Sequence, residues 1–153
     1  MAIQQADYPI PVEKTQNFID KYRHSILNVT TLYGQGTAGF YILEELTKQH
    51  YCIISCFHVF WPKDVNQNDD DVYGANFNFE GESSFHLLRG WIACFKFSKE
   101  LDYIAIEIKE EYATHQKSTL PWNKSQFIYL HQPNIRDKVC HILILNNYKQ
   151  YSV

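Results

Sequence analysis

The stretch Tyr51–Phe60, which reads Tyr-Cys-Ile-Ile-Ser-Cys-Phe-His-Val-Phe, decides the fold of this chain. Its first half is a short apolar run rich in aromatic and β-branched residues, which is typical of a buried β-strand. His58 stands just past the end of that run. A second apolar run, Tyr103–Ile108, begins directly after Asp102. The pattern predicts a β-rich fold that carries polar side chains where strands begin and end.

Similar short runs, separated by polar or glycine-containing breaks, extend in both directions from this stretch. They predict an antiparallel, all-β fold. The six runs that suit one closed barrel are Ser25–Tyr33, Thr37–Leu43, His50–Ser55, Tyr73–Glu80, Trp91–Phe97 and Asp102–Ile108. The polar segment Asn66–Asp71 between the third and fourth runs is predicted to be a surface loop. Two further runs, Ser125–His131 and Lys138–Leu145, are too few to close a second barrel.

Four regions are therefore expected. Residues 1–24 form an N-terminal arm or short helix, in which Val12, Phe18, Ile19 and Tyr22 share one apolar side. Residues 25–113 form the first barrel, which carries His58 and Asp102. Residues 114–124, which include Pro121, form a linker between barrels, and residues 125–153 begin a second barrel that the chain does not complete.

Composition excludes several classes of protein. A chain of 153 residues with 45% hydrophobic and 16% aromatic side chains buries a core as one domain. Its formal charge of −3 gives no basic footprint for nucleic acid, so nucleic-acid binding is not expected of this segment. There is no cationic leader and no apolar run long enough to span a bilayer. We expect a soluble, intracellular protein that makes no membrane contact.

The four cysteines, Cys52, Cys56, Cys94 and Cys140, are expected to be reduced and packed in the core. Along a strand, Cys52 and Cys56 would lie roughly 13 Å apart, which is too far for a disulfide or a shared zinc ion. The cluster Cys-x3-Cys-x-His that ends at His58 would be a poor metal site unless the chain bends sharply. We therefore predict no metal site and no cofactor.

His58 and Asp102 are the candidate catalytic residues. An imidazole held at a rigid strand end can act as a general base, and a carboxylate directly before a strand can accept the Nδ1 proton of that imidazole. Each residue also has an ordinary structural interpretation. A single histidine is more often a partly buried structural residue, and an aspartate at a strand boundary is common.

Four motifs in order resemble the trypsin-like, chymotrypsin-fold serine peptidase domain. They are Gly-Phe-Tyr-Ile (39–42), Ile-Ser-Cys-Phe-His-Val-Phe (54–60), Leu-Asp-Tyr-Ile-Ala-Ile-Glu-Ile (101–108) and Phe-Ile-Tyr-Leu-His-Gln-Pro-Asn (127–134). Within that family the chain most resembles the vertebrate FAM-one-eleven nuclear peptidases, from about residue 26 to residue 145. In that group a Phe-x-Phe strand like 77–79, a tryptophan like Trp91 and a Glu-Leu-Asp-Tyr motif like 100–103 follow in the same order.

The resemblance implies peptide-bond hydrolysis by a His-Asp-Ser triad, with His58 as general base and Asp102 as its orienting carboxylate. It also implies a double β-barrel whose first barrel is complete here and whose second is truncated. The sequence departs from the family in lacking the Gly-x-Ser-Gly turn of the nucleophile, and in Leu130 and Gln132 around His131. Ser83, Ser84 and Cys140 do not suit the nucleophile role. The chain alone is therefore expected to be inactive.

The alternative is a catalytically dead pseudopeptidase that acts as a protein-interaction module. Its partner would bind an exposed face of the first barrel. A completed enzyme would instead act on a protein or peptide substrate, whose identity depends on second-barrel segments. The resemblance implies a location in the nucleus, whereas the sequence itself is equally compatible with the cytoplasm.

Overall fold

The computed structural model describes residues 12–79, 83–114, 120–130, 141–145 and 148–152. The helices are α1 (Val12–Tyr22), α2 (Phe57–Phe60), α3 (Asp69–Tyr73) and α4 (Glu110–Thr114), and 3-10 turns cover Arg23–Ser25, Arg89–Trp91 and Lys124–Gln126. The strands are β1 (Ile26–Thr31), β2 (Gly34–Glu45), β3 (Lys48–Ser55), β4 (Asn76–Asn78), β5 (Ile92–Ser98), β6 (Tyr103–Ile108), β7 (Ile128–Tyr129), β8 (His141–Leu145) and β9 (Tyr148–Ser152). In this described part of the chain, no helix has the length and apolar character needed to cross a membrane.

One sheet of seven strands forms most of the molecule. Six of its strands lie in the order β4-β1-β2-β3-β6-β5, and all their pairings are antiparallel. The short strand β7 pairs with β2 in parallel, and β8 and β9 form a separate antiparallel pair. The expected all-β fold class is confirmed. β4 and β5 are the outer strands of the order, and no pairing between them is recorded within the described ranges.

The core lies on one side of this sheet and follows from the alternation of its strands. Val29 of β1, Ile53 of β3 and Ile106 of β6 are fully buried. Aromatic residues fill the space above them. Phe40 of β2 packs against Phe127, with ring centroids 4.9 Å apart, and against Trp122 at 5.8 Å. The segment that follows the first six strands therefore contributes to the core.

Two of the predicted boundaries differ from the structure between the third and fourth strands. The expected loop Asn66–Asp71 ends in helix α3, because the Asn68 side chain accepts a hydrogen bond from the Asp70 backbone N–H at 3.0 Å and caps the helix. Tyr73 consequently lies in this helix and not in a strand. The predicted strand Tyr73–Glu80 shrinks to Asn76–Asn78, and Glu80 lies outside the described residues.

The C-terminal predictions also change. Within the described residues 125–130, only Ile128 and Tyr129 are strand, because the Asn123 and Gln126 side chains form a capping box that holds a 3-10 turn. The predicted strand Lys138–Leu145 begins at His141 in the described residues, and β9 was not predicted. His131, Gln132 and Lys138 lie outside the described residues.

At the N-terminus, residues 12–22 form a helix and not an extended arm. Ile19 is buried, as its place on the predicted apolar side requires, and Tyr22 is half-buried. The side chains of Val12 and Phe18 lie outside the described part.

The expectation that the cysteines pack in the core is wrong for two of them. Cys52 is buried in β3, and burial raises the pKa of its thiol to about 12. Cys56 and Cys94 are exposed and unpaired. Cys56 lies in the turn where β3 ends, and Cys94 lies on the outer strand β5. Cys140 lies outside the described residues.

Candidate functional site

The turn after β3 places His58 in an exposed position on the surface. Strand β3 ends at Ser55, Cys56 keeps an extended backbone, and helix α2 begins at Phe57. Phe57 and Val59 point into the core, whereas His58 between them points outward. The alternation of apolar and polar residues thus anchors the helix in the core and leaves the imidazole exposed to solvent.

Two contacts fix the position of α2. The Thr31 hydroxyl of β1 donates a buried hydrogen bond of 2.7 Å to the carbonyl oxygen of Val59. Gly36 of β2 lies so close to Val59 that a Cβ added there would meet a Val59 methyl carbon at 2.5 Å. The helix therefore contacts two neighbouring strands, and a side chain at residue 36 would force the Val59 side chain to shift.

Asp102 meets His58 from the loop that leads into β6. Its Oδ1 accepts the backbone N–H of His58 at 2.9 Å, and its Oδ2 lies 2.6 Å from Nδ1 of the imidazole. Its backbone adopts a left-handed conformation with φ of 53°, which residues other than glycine rarely adopt. The structure brings together the two residues that the sequence singled out, 44 positions apart in the chain.

The electrostatics keep this carboxylate ionised. The backbone N–H of His58, and then the hydrogen bond and charge of its side chain, hold the pKa of Asp102 below its ordinary value of 3.8 despite an opposing effect of burial. An ionised carboxylate only accepts hydrogen bonds, so Nδ1 carries the proton and Nε2 is left as the basic nitrogen. Among the described residues, no partner of Nε2 is found.

The pair can therefore do general-base chemistry. A neutral imidazole whose Nδ1–H is held by a carboxylate presents Nε2 in a fixed tautomer, and the carboxylate stabilises the imidazolium that forms when Nε2 takes a proton. The His58 and Asp102 side chains are 66% and 44% exposed, so a substrate can reach them from solvent. Among the described residues, no serine hydroxyl is hydrogen-bonded to His58.

Cys56 is a third member of this site that sequence reasoning placed elsewhere. Its sulfur, an oxygen of Asp102 and a ring nitrogen of His58 all lie within 4.8 Å of one another. The chain enters helix α2 directly after Cys56, and this change of direction places Cys56 near His58 and Asp102. Burial and the charge of Asp102 raise the pKa of the Cys56 thiol, so it is a poor nucleophile.

An open groove of about 930 Å³ runs from Cys56 along the sheet. Its floor is formed by β2 and β3, and its wall by the segment around β7. Tyr129 and Leu130 stand on this wall and are 59% and 45% exposed. The groove thus presents an apolar surface beside the histidine–aspartate pair.

A second histidine–carboxylate pair was not anticipated from the sequence. Nδ1 of His50 on β3 lies 2.8 Å from Oε1 of Glu107 on β6, and Nε2 of His50 lies 3.5 Å from Glu45 of β2. His50 and Glu107 lie on facing strands, where Tyr51 pairs with Ile108 and Cys52 with Glu107. Only the register of those strands, which the sequence does not specify, could have revealed this pair.

Comparison with known proteins gives no match to a family model, to a curated protein or to a solved structure.

Proposed function

We propose that this chain supplies the first barrel of a trypsin-like serine peptidase domain, with His58 as general base and Asp102 as the carboxylate that orients it. The observation that carries the proposal is the two-point hydrogen bond. One oxygen of Asp102 holds the backbone of His58 and the other holds Nδ1, at 2.9 and 2.6 Å. An ordinary surface ion pair needs only the second contact.

The placement of the pair in the chain supports the proposal. His58 follows the third strand and Asp102 precedes the sixth, and these two strands are neighbours in the sheet. The order β4-β1-β2-β3-β6-β5 would give a chymotrypsin-like barrel if its outer strands met. This barrel and the His-then-Asp order are what the four sequence motifs imply.

The mechanism is acyl transfer. A serine hydroxyl supplied from outside the described residues attacks the peptide carbonyl while Nε2 of His58 takes its proton. Protonated His58 then gives that proton to the leaving amine, and water hydrolyses the acyl-enzyme by the reverse sequence. Asp102 stays ionised throughout and stabilises the imidazolium. Every step is a proton transfer, an addition to the carbonyl carbon or an elimination that expels the amine or the serine oxygen, so the chemistry requires no cofactor.

Labelling of the endogenous protein tests this proposal. An antibody to the exposed segment 63–68 captures the protein from cells, its intact mass is measured, and it is treated with a fluorophosphonate that reacts with activated serines. We expect a labelled species heavier than the 18.1 kDa of this chain, since the nucleophile must be added to it. An unlabelled protein with His58 intact would contradict the proposal.

A matched pair of edited cell lines provides the control. H58Q should abolish labelling, whereas H50Q changes a histidine that also pairs with a carboxylate but lies away from the site, and should leave labelling in place. Both lines are compared at equal protein abundance. Labelling that survives H58Q would show that another base activates the serine.

The second candidate is a pseudopeptidase that binds a protein partner, and the apolar groove beside the pair favours it. Tyr129 and Leu130 would contact a partner that fills the groove. An endogenous species of 18.1 kDa that is unlabelled, monodisperse and unfolds cooperatively would support this function. Replacing Tyr129 with Ser would then weaken partner capture without lowering the melting temperature.

A further inference from the structure

Three different kinds of metal ligand converge at the bend after β3. A thiol, an imidazole and a carboxylate, from Cys56, His58 and Asp102, offer atoms that lie within 4.8 Å of one another. In the described part of the chain, this is the one group of three such residues that could hold an ion. Two of the three come from the same turn, and the third is fixed to it by two hydrogen bonds.

We propose that Cys56, His58 and Asp102 form a binding site for a thiophilic divalent cation of the Zn²⁺ class. Sulfur and imidazole nitrogen are the ligands that such ions prefer over the hard cations Mg²⁺ and Ca²⁺. Three protein ligands leave a fourth tetrahedral position open to water.

The geometry suits this ion after a small adjustment. Bonds of about 2.3 Å to sulfur and about 2.0–2.2 Å to nitrogen and oxygen place two ligands of a tetrahedral zinc ion roughly 3.3–3.6 Å apart. The most distant pair of ligand atoms therefore needs to close by roughly 1.2 Å, and Nδ1 and Oδ2, which are 2.6 Å apart, need to separate by roughly 0.7–1 Å. All three side chains can rotate, because Cys56 and His58 are exposed and Asp102 is partly exposed.

Formation of the site redirects the histidine–aspartate pair. The cation takes the place of the Nδ1 proton that faces Oδ2, and the imidazole keeps its one proton on Nε2 instead; the thiol proton of Cys56 is released to water, so that the thiolate becomes a ligand. The metal and the general-base function therefore compete for the same atoms. This competition, and not the metal site itself, rests on the proposed function.

Cys94 supplies a matched control for the thiol. It is also exposed and reduced, and it lies opposite Glu107 in the pairing of β5 with β6. It thus combines a thiol with a nearby carboxylate, but it belongs to no group of three ligands in the described ranges. A cation that simply prefers accessible thiols would not distinguish Cys94 from Cys56.

Cobalt(II) binding to the reduced, purified chain tests the site. Cobalt(II) occupies zinc sites, and a thiolate ligand gives it a charge-transfer absorption in the near ultraviolet. We expect the wild type and C94S to develop this absorption equally, and Zn²⁺ to displace it. C56S should remove the absorption, and H58Q should weaken Zn²⁺ binding more than about tenfold.

The signal must depend on Cys56 and not on Cys94. An unchanged absorption in C56S, or a loss in C94S, would overturn the site. Circular dichroism confirms that each variant is folded. Neither absorption nor displacement requires a serine nucleophile, so a failed peptidase assay and a failed metal site are distinguishable. Competition between the metal and the general base predicts that Zn²⁺ slows fluorophosphonate labelling of the wild-type protein and that a chelator restores the rate. In C56S, Zn²⁺ should not slow the labelling.

Discussion

The two histidine–carboxylate pairs differ more in their surroundings than in their geometry. The Nδ1–carboxylate distance is 2.6 Å for His58–Asp102 and 2.8 Å for His50–Glu107. However, the side chains of the second pair are only 13% and 15% exposed, against 66% and 44% in the first. His50 also has Glu45 beside its second nitrogen, whereas Nε2 of His58 has no partner in the described part of the chain.

The comparison shows that a short histidine–carboxylate contact does not by itself make a general base. Proton transfer needs one ring nitrogen that is held and one that is accessible to a reacting group. His50 has both nitrogens facing carboxylates on neighbouring strands, so it links β3 to β2 and β6. His58 projects from a short helix and meets the functional requirement.

The largest expected effect separates the two pairs by activity. H58Q removes the proposed base and should slow fluorophosphonate labelling of the endogenous protein by as much as about a millionfold, since the members of a catalytic triad work as a unit. H50Q should alter the labelling rate less than about twofold at equal amounts of folded protein. Labelling rates of the two variants give the comparison, and an equal loss in both would erase the functional distinction.

Stability should separate the pairs in the opposite sense. H50Q leaves Glu107 as a largely buried carboxylate without its histidine, which costs about 2–3 kcal/mol. H58Q breaks a mostly exposed contact and should cost under about 1 kcal/mol. Urea unfolding of the purified chain measures both. A larger loss in H58Q would mean that the exposed pair also holds the fold together.

The support of helix α2 gives a smaller effect. T31V removes the hydroxyl that donates to Val59 and leaves a buried carbonyl oxygen unsatisfied, at about 1–2 kcal/mol. The same change should weaken the His58–Asp102 hydrogen bond, visible as an upfield shift of the Nδ1 proton in the NMR spectrum. T30V, on the neighbouring residue of β1, is the control. An unshifted Nδ1 proton would show that α2 holds its position without Thr31.

The smallest expected effect concerns pH. Because the pKa of Asp102 is lowered in the folded protein, its ionised form stabilises the fold above the ordinary value of 3.8, and this stabilisation is lost as the pH falls through the folded value below 3.8. D102N should therefore lower the unfolding free energy at about pH 6 but not at about pH 2, by under about 1 kcal/mol.

E100Q, at an exposed carboxyl two residues earlier, is the control for that measurement. It should shift stability equally little at both values of pH. A D102N effect that stays constant with pH would show that the change acts through the left-handed backbone of residue 102 and not through its charge.

The sequence predicted the exposed pair better than it predicted the buried one. His58 and Asp102 each stand at the end of a strongly apolar run, so strand limits alone suggested that they could meet. His50 and Glu107 meet only because of the register of β3 and β6, which depends on packing across the whole core. The bend that brings Cys56 to His58 was unforeseen because helix α2 has only four residues and no periodic signal.

Local capping explains the other differences. Asn68 and Asn123 turn polar segments into short helical turns through hydrogen bonds between side chain and backbone, which compete with extended structure. The sequence pattern assigned the first segment to a polar loop and assigned Ser125 and Gln126 of the second to a strand, so neither helical turn was predicted. The all-β class needed only the period-two runs, and for this reason it was predicted correctly.

The packing of Trp122 and Phe127 on Phe40 determines where this chain could be divided. A recombinant fragment ending at residue 113, where the strand pattern suggests a boundary, would lose both rings and leave Phe40 open to water. Exposed aromatic surface of that kind promotes aggregation. The smallest stable unit therefore extends at least to Phe127, and the histidine–aspartate pair cannot be studied on a shorter piece.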